Sequence, residues 1–349
     1  MDLRSPALVV AVAALVTGCR AESPTPSAAV PAARPQAASG APSAATSAIP
    51  VGAPPRVAYA FSSNATFEGG DWELIRPDGS RQPLPDSPQQ LVVYDDRVVN
   101  GYGSEGGFVV EVIDPRGRVV GGAQGLCAYG LAITDDRAQV GWLDGRSLVT
   151  LGAPGTHERR RDLRVPPNEC GRLQPVAIDA RGVYADGHGG HDPVLLRAGR
   201  FRLLRLESLR TITDVTHGKA IGLRAGTSRC SAMVNLLGAR RWQTCDHRLL
   251  DAAPDGRHVL GIVGPSRYGR ARAVSLFTRT GELVSEWQRP AGARIDDVRW
   301  EDDSHVLAVL QDGAGWSLVR VGVDGAVEYA VAPRPTKAED NAPFRLPLS

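Results

Sequence analysis

Leu250-Asp-Ala-Ala-Pro-Asp-Gly-Arg-His-Val-Leu-Gly-Ile-Val263 sets an apolar run, a Pro-Asp-Gly turn and a second apolar run end to end, which is the pattern of a tight β-hairpin. Related strings are Leu91-Val-Val-Tyr-Asp-Asp-Arg97, Leu131-Ala-Ile-Thr-Asp-Asp-Arg137, Val176-Ala-Ile-Asp-Ala-Arg-Gly182, Ile212-Thr-Asp-Val-Thr-His-Gly218 and Val298-Arg-Trp-Glu-Asp-Asp-Ser304. They recur at intervals of about forty residues, and each leads into a second apolar run. A different turn falls between them, at Pro77-Asp-Gly79, Pro115-Arg-Gly117, Ala153-Pro-Gly155, Ala198-Gly199, Gly238-Ala239, Thr280-Gly281 and Asp324-Gly325. Glycine there supplies the positive φ that a tight hairpin needs. Strand, acidic turn, strand, loop, strand, glycine turn, strand is a four-stranded antiparallel meander. One such unit cannot bury both faces alone, so repetition at this period implies a β-propeller.

The expectation is therefore an all-β, seven-bladed β-propeller of four-stranded antiparallel blades over residues 56–349. From residue 56 onward no stretch shows sustained helical spacing. The first unit has runs at Val57 to Phe61, Trp72 to Arg76 and Arg81 to Leu84 but nothing that acts as its innermost strand. The tail ends in Pro343-Phe-Arg-Leu-Pro-Leu-Ser349, and Phe344 to Leu348 is expected to supply that strand and close the ring.

The 349 residues are 42% apolar and 22% charged, with a formal net charge of +2. This excludes a multi-span membrane protein and a coiled coil. It also argues against nucleic-acid binding, which needs clustered cations to neutralise phosphates.

Residues 1–18 read as an export signal. Arg4 precedes an apolar run, Ala7 to Val16, that is shorter than the ~20 residues of a membrane-spanning helix. The run ends in Val16-Thr17-Gly18-Cys19, where small residues fit a peptidase cleft and a thiol is available for lipid attachment. The segment resembles a bacterial lipoprotein signal with its lipobox. That resemblance implies cleavage before Cys19, acylation of Cys19 with diacylglycerol and palmitate, and anchorage on the outer face of a bacterial membrane. Residues 19–55 are then a linker of Ala, Pro, Ser, Thr and Gly that cannot bury enough apolar surface to offset its ordering entropy.

The segment Ala253-Pro-Asp-Gly-Arg-His-Val-Leu260 resembles the Ser-Pro-Asp-Gly-Arg-x-Leu signature of TolB-like (WD-repeat-like) propellers, and Trp300-Glu-Asp-Asp-Ser-His-Val-Leu-Ala-Val309 is a relaxed version of it. The resemblance implies protein binding in the cell envelope and carries no catalytic residues with it.

Without Cys19 four cysteines remain, which in an exported chain read as two disulfides. Cys230 and Cys245 straddle the turn at Gly238-Ala239, so they fall opposite each other on adjacent strands. Cys127 and Cys170 occupy equivalent loops before two inner strands and form the second expected pair. His188-Gly-Gly-His191-Asp192 contains the residue types of a divalent-metal site, but its glycines suit a solvated hairpin tip better. No metal or other cofactor is expected. The Arg-rich stretch His157 to Arg164 reads as an exposed outer strand whose charge guards an edge. The paired carboxylates Asp95-Asp96, Asp135-Asp136, Asp296-Asp297 and Asp302-Asp303 mostly recur at repeat turns, as a turn requirement predicts. No Gly-x-Ser-x-Gly elbow, phosphate loop or His-Glu-x-x-His helix is present.

The functional expectation is a monomeric, membrane-anchored, non-enzymatic binding module for a protein or an envelope polymer. The rival is a propeller lyase or hydrolase that acts on glycans at the mouth of the central channel.

Overall fold

The computed structural model describes residues 49–349 apart from 67–69, 127, 153–157, 164, 166–169, 188–191, 198–199, 204–208, 227–228, 237–239, 265–270 and 336–340. The strands are β1 (Tyr59–Phe61), β2 (Trp72–Ile75), β3 (Arg81–Leu84), β4 (Gln90–Val93), β5 (Val98–Ser104), β6 (Gly107–Ile113) and β7 (Val119–Leu126). There follow β8 (Ala132–Thr134), β9 (Gln139–Asp144), β10 (Ser147–Gly152), β11 (Arg159–Asp162), β12 (Leu173–Asp179), β13 (Gly182–Gly187), β14 (Val194–Arg197) and β15 (Arg200–Leu203). Next come β16 (Asp214–Thr216), β17 (Lys219–Leu223), β18 (Ser231–Asn235), β19 (Arg240–Thr244), β20 (His247–Ala252), β21 (His258–Val263), β22 (Ala273–Thr278) and β23 (Leu283–Gln288). The last are β24 (Arg294–Trp300), β25 (His305–Asp312), β26 (Gly315–Gly322), β27 (Val327–Arg334) and β28 (Phe344–Arg345). Among the described residues, no helix is long and apolar enough to cross a membrane.

The acidic turns recur for a local reason. A carboxylate accepts the backbone N–H two residues on, as in Asp136 with Ala138, Asp179 with Arg181, Asp255 with Arg257 and Asp302 with Ser304, and the same contact recurs in two of the glycine turns, Asp78 with Ser80 and Asp324 with Ala326. This Asx geometry substitutes for a backbone turn bond. The second class of turn uses glycine at positive φ, at Gly79 (82°), Gly117 (79°), Gly281 (97°) and Gly325 (83°).

The strands hydrogen-bond into five four-stranded sheets, β28-β1-β2-β3, β4–β7, β16–β19, β20–β23 and β24–β27, and one eight-stranded sheet in the order β11-β10-β9-β8-β12-β13-β14-β15. The expected seven four-stranded blades are thus corrected to a propeller of five blades with a separate eight-stranded sheet. The joint is a parallel pairing of β8 with β12, Ala177 opposite Ile133 and Ile178 opposite Thr134. Two antiparallel meanders fuse across it into one hydrogen-bonded surface. That sheet curls on itself, because Leu143 and Leu148 from one half pack with Ile178, Val183 and Leu196 from the other.

Apolar clusters between successive sheets hold the arrangement. Trp72 and Leu74 meet Leu91, Val98 and Ile113, and Val99 and Phe108 meet Val140, Trp142 and Val149. Tyr184 and Leu195 meet Val215 and Ala220, Ile221 and Met233 meet Val259 and Phe277, and Leu260 and Val274 meet Ile295 and Trp300. The succession returns to its start where Leu307, Val309 and Trp316 pack with Tyr59, Ile75 and Phe344. At that seam β28 lies antiparallel to β1, with Arg345 opposite Ala60 and Phe344 opposite Phe61.

The chain entering the propeller is also fixed. Pro50 and Gly52 exchange backbone hydrogen bonds with Tyr329 on β27 (2.7 and 3.0 Å). The guanidinium of Arg320 donates to the carbonyls of Ala53 (3.0 Å) and Pro54 (2.9 Å).

Cys230 and Cys245 form a disulfide across a sequence separation of 15, one step beyond the pair Ser231 and Thr244 of β18 and β19. The bond closes a loop of a size that restricts the unfolded chain by about 3 kcal/mol in the entropic model. Cys230→Ser/Cys245→Ser is expected to lose that amount in denaturant-monitored unfolding, and a loss below 1 kcal/mol would show that the loop is already restrained in the unfolded chain. Cys127 lies outside the described residues, and Cys170 begins a short 3-10 turn, Cys170–Arg172.

Candidate functional site: the central cavity

The first strand of each later meander faces inward, and together these strands wall a cavity of about 480 Å³. Gln90 on β4, Ile133 on β8, Pro175 and Val176 on β12, Asp214 on β16, Asp251 on β20 and Asp296 and Asp297 on β24 line it, with Leu348 and Ser349 of the C-terminal tail. Three of these inner strands carry a β-bulge against their neighbour, between Pro175 and Ala177, Leu249 and Asp251, and Ile295 and Asp297. A bulge adds a residue and re-aims side chains. Here each bulge falls on cavity-lining residues.

The wall carries both signs of charge. Asp135, Asp186, Asp214, Asp251, Asp296 and Asp297 contribute carboxyls, and Arg137, Arg248 and Arg299 contribute guanidinium groups. Asp186 accepts the N–H of Ile212 at 2.8 Å. Arg137 has a left-handed backbone (φ 56°), an uncommon conformation for a side chain of this size. Burial lowers the Arg137 pKa, against the attraction of Asp251, Asp303 and Asp302.

Asp214 and Asp251 are hydrogen-bonded to each other. Burial raises the Asp214 pKa well above the ordinary value, and the neighbouring Asp251 charge and the hydrogen bond to it raise it further. Burial also raises Asp251, while donation from Ser349, attraction to Arg299 and the bond with Asp214 pull it back. Burial and their mutual repulsion thus hold a proton on the pair above the ordinary carboxylate range, with the larger upward push on Asp214. Asp251 is 7% exposed and accepts the Ser349 hydroxyl at 2.5 Å. The N–H of Ala252 donates to Asp214 at 3.2 Å.

A carboxyl whose folded pKa is raised contributes stability below its unfolded pKa, and that contribution is lost as pH rises through the folded value. Asp214→Asn removes an ionisation that burial opposes while keeping a hydrogen-bonding side chain. It is expected to raise the melting temperature above the ordinary carboxylate range and to flatten the decline from there toward neutrality. An unchanged melting profile between pH 4 and 8 would sink this assignment.

Asp296 is likewise raised by burial, opposed by Arg294 and Arg345. Arg345 itself is lowered by burial, against the attraction of Asp296 and Asp297. It donates to the carbonyls of Pro88 (3.1 Å) and Ala342 (2.8 Å) and lies over the Trp72 ring at 5.3 Å.

Of the residues singled out from the sequence, His188 and His191 lie outside the described residues. Asp192 is exposed ahead of β14. Among the described residues no group of three or more His, Cys, Asp or Glu is placed to hold a metal ion. Within the stretch 157–164, Arg159–Asp162 forms β11, an exposed edge strand of the eight-stranded sheet, and Arg160 pairs with Asp144 at 2.6 Å. Cys19 precedes the described residues. Asp214, Asp251 and Ser349 carry the interior polar contacts but read in sequence only as turn-flanking or terminal residues. The signal present was an aspartate inside an apolar run, at Leu250-Asp-Ala-Ala and Ile212-Thr-Asp-Val.

No family model and no curated protein matches the chain. Among solved structures, it is similar to a putative TolB from Agrobacterium tumefaciens at 15% identity and TM-score 0.40, over 66% of this chain and 94% of that one. It is similar to YCF48 bound to D1 peptide at 8% identity and TM-score 0.48, over 80% and 87% of the two chains. A prolyl endopeptidase gives 15% identity and TM-score 0.48 over 84% of this chain and 51% of the endopeptidase. None of these similarities assigns the chain to a family. The expected TolB-like seven-bladed membership is accordingly corrected: the TolB likeness is distant, and the sheets are five blades and an eight-stranded sheet.

Proposed function

We propose that the chain is a binding module held at a bacterial cell envelope. In this reading Cys19 carries the lipid, the Pro- and Ala-rich segment after it is the tether, and the propeller offers its central cavity to a protein or an envelope polymer. The supporting observation is the cavity, about 480 Å³, whose walls place carboxyls and guanidinium groups beside apolar side chains such as Ile133, Val176 and Leu348. Charged groups of both signs beside apolar side chains in one concave site suit recognition of a polar ligand.

Its carboxyl pair is unsuited to glycan hydrolysis. The two carboxyls of a glycosidase stand about 5 to 9.5 Å apart to flank the scissile bond. Asp214 and Asp251 are bonded to each other, and the chain's own Ala252 N–H and Ser349 hydroxyl take up further acceptor positions. Binding therefore fits the pair better than lyase or hydrolase chemistry.

Cross-linking on intact cells, with the anchored protein as bait, tests this reading. One stoichiometric partner is expected, with recovery reduced at least tenfold for Asp251→Asn. Recovery that ignores the cavity variant would refute it. Cys19→Ser should release the protein from the membrane fraction. Mass spectrometry of the alkylated, unreduced mature chain should find no free thiol, given the proposed Cys127–Cys170 pair beside Cys230–Cys245.

A further inference from the structure

Where the sheet β4–β7 packs on the sheet of β1 to β3, the contact turns from apolar to polar along β5. Val98, Asn100 and Tyr102 alternate onto one side of that strand, and Val98 packs with Trp72, Leu74 and Ile113 between the two sheets. Asn100 is paired directly with Glu111 on β6. Asp86, in the connection from β3 to β4, reaches the same place: the Tyr102 hydroxyl lies 3.0 Å from Asp86 Oδ2 and 3.3 Å from Glu111 Oε1. Asn100 is 0% exposed and Glu111 9%, while Asp86 and Tyr102 are half-buried and give solvent a way in. The group has no positive partner. Burial pushes the Glu111 carboxyl up and the Asp86 charge pushes it further, against Tyr102 and Asn100, and no guanidinium or ammonium is among the groups acting on Glu111 or Tyr102. Tyr102 has a single proton, which burial and its bond to Asp86 retain, and it donates to one carboxylate at a time. The buried Glu111 Oε2 and both amide atoms of Asn100 lack a partner in hydrogen-bonding geometry, although the amide is near enough to favour ionised Glu111. Turning the amide to give its nitrogen to Glu111 still leaves Asn100 Oδ1 unpaired and both carboxylates uncompensated. Buried charges are normally paired or coordinate a metal.

We propose that Asp86, Asn100 and Glu111 ligate a hard divalent cation, calcium, between the first two sheets. Carboxylate and amide oxygens are the donor set that suits calcium, and the absence of imidazole and thiolate from the set disfavours softer metals. Two carboxylates match the two charges of the ion. The orphaned Glu111 Oε2 and Asn100 Oδ1 gain a partner, and waters from the half-buried side fill the remaining positions of a six- to eight-fold shell. Tyr102 holds the two carboxylates facing each other by its contacts with both. Because only two of the ligands are carboxylates, the site differs in kind from the groups of three His, Cys, Asp or Glu that are absent among the described residues. The spacing of Asp86, Asn100 and Glu111 matches no calcium-loop motif, so the sequence carries no signal for it. None of the four residues lines the central cavity, and the site is independent of the binding reading. A cation there ties the β3–β4 connection to β5 and β6.

The test uses the full chain, dialysed against a chelator and titrated with calcium chloride. Calorimetry should show one saturable site in the weak range of extracellular calcium modules, about 10⁻⁴ to 10⁻³ M, and calcium should raise the melting temperature. Terbium, a calcium surrogate, should give sensitised luminescence that added calcium removes by displacement. Glu111→Gln and Asp86→Asn keep side-chain size, and each is expected to bind calcium at least tenfold more weakly and to lose the displaceable terbium signal. Asp324→Asn, in an exposed turn, should bind as the unaltered chain does. Should Glu111→Gln fail to fold, the half-buried Asp86→Asn carries the comparison alone. Melting and calorimetry of the folded chain that ignore calcium up to about 10 mM, ten times the weak end of that range, would overturn the proposal and place a proton on Glu111 in the cation's stead. Equal calcium binding by the unaltered chain and Asp86→Asn would also overturn it, as would tighter binding of magnesium than of calcium.

Discussion

Phe344→Ala is expected to lower the free energy of unfolding by about 3 to 5 kcal/mol, the usual cost of emptying a buried aromatic site. Phe344 is 0% exposed. Its ring centroid lies 5.1 Å from that of Phe61 and 5.9 Å from that of Tyr59, and the same cluster takes in Leu307, Val309, Trp316 and Leu318 from the last four-stranded sheet. The side chain therefore joins the sheet of β1 and β2 to the last four-stranded sheet at one seam. Deleting residues 344–349 should have a larger effect. It strips β1 of one of its two partners, leaving β2 alone, takes away the interactions of Leu346 and Leu348, and opens two apolar faces to water. The expected outcome is loss of a single cooperative transition in guanidinium unfolding followed by tryptophan fluorescence. A Phe344→Ala variant that loses less than 1 kcal/mol would show that the seam contributes little to holding the sheets together.

The strands and turns were legible because their signals are local. Period-2 alternation, Asx-type acids and positive-φ glycines depend on a few neighbouring residues, so Pro77-Asp-Gly79 or Asp324-Gly325 announces its hairpin without tertiary context. The pairing of β8 with β12 has no such signal. It involves only two matched residue pairs and depends on how closely two neighbouring meanders approach, which Leu131-Ala-Ile-Thr and Val176-Ala-Ile-Asp do not encode. The cavity was hidden for a related reason. Bulges at Leu249/Asp251 and Ile295/Asp297 shift the alternation that assigns side chains to faces, so Asp251 reads as a turn residue and is found inside. Arg320 misleads in the opposite way. In Ser317-Leu-Val-Arg-Val321 it looks like an exposed strand charge, because its partners lie 19 residues and about 266 residues away in sequence.

Those partners make Arg320→Ala the second large expected effect. Arg320 is 3% exposed and holds Glu301 in a two-point contact, Nε to Oε2 at 2.5 Å and Nη2 to Oε1 at 2.8 Å, with a further bond to Glu328. Glu301 also accepts the backbone N–H of Arg56 at 2.6 Å. The Arg320 pKa is raised by its bonds to Glu301, against the opposing effect of burial. An intact buried pair contributes little net stability, since desolvation offsets its attraction, but removal of one member leaves a buried charge alone at a cost of about 3 to 5 kcal/mol. The cost here includes the carbonyls of Ala53 and Pro54, which lose their donors. Arg320→Ala should therefore lower unfolding stability by that amount and also raise the rate of proteolytic cleavage near residues 50–56, because the entering segment loses its clamp. Arg320→Ala/Glu301→Gln distinguishes the two contributions. A neutral amide is less costly to bury than a carboxylate, so the double variant should recover part of the stability while the entering segment stays susceptible to protease. Full recovery of both would show that Arg320 acts only on Glu301, and recovery of neither would show that the clamp on Ala53 and Pro54 is the larger contribution.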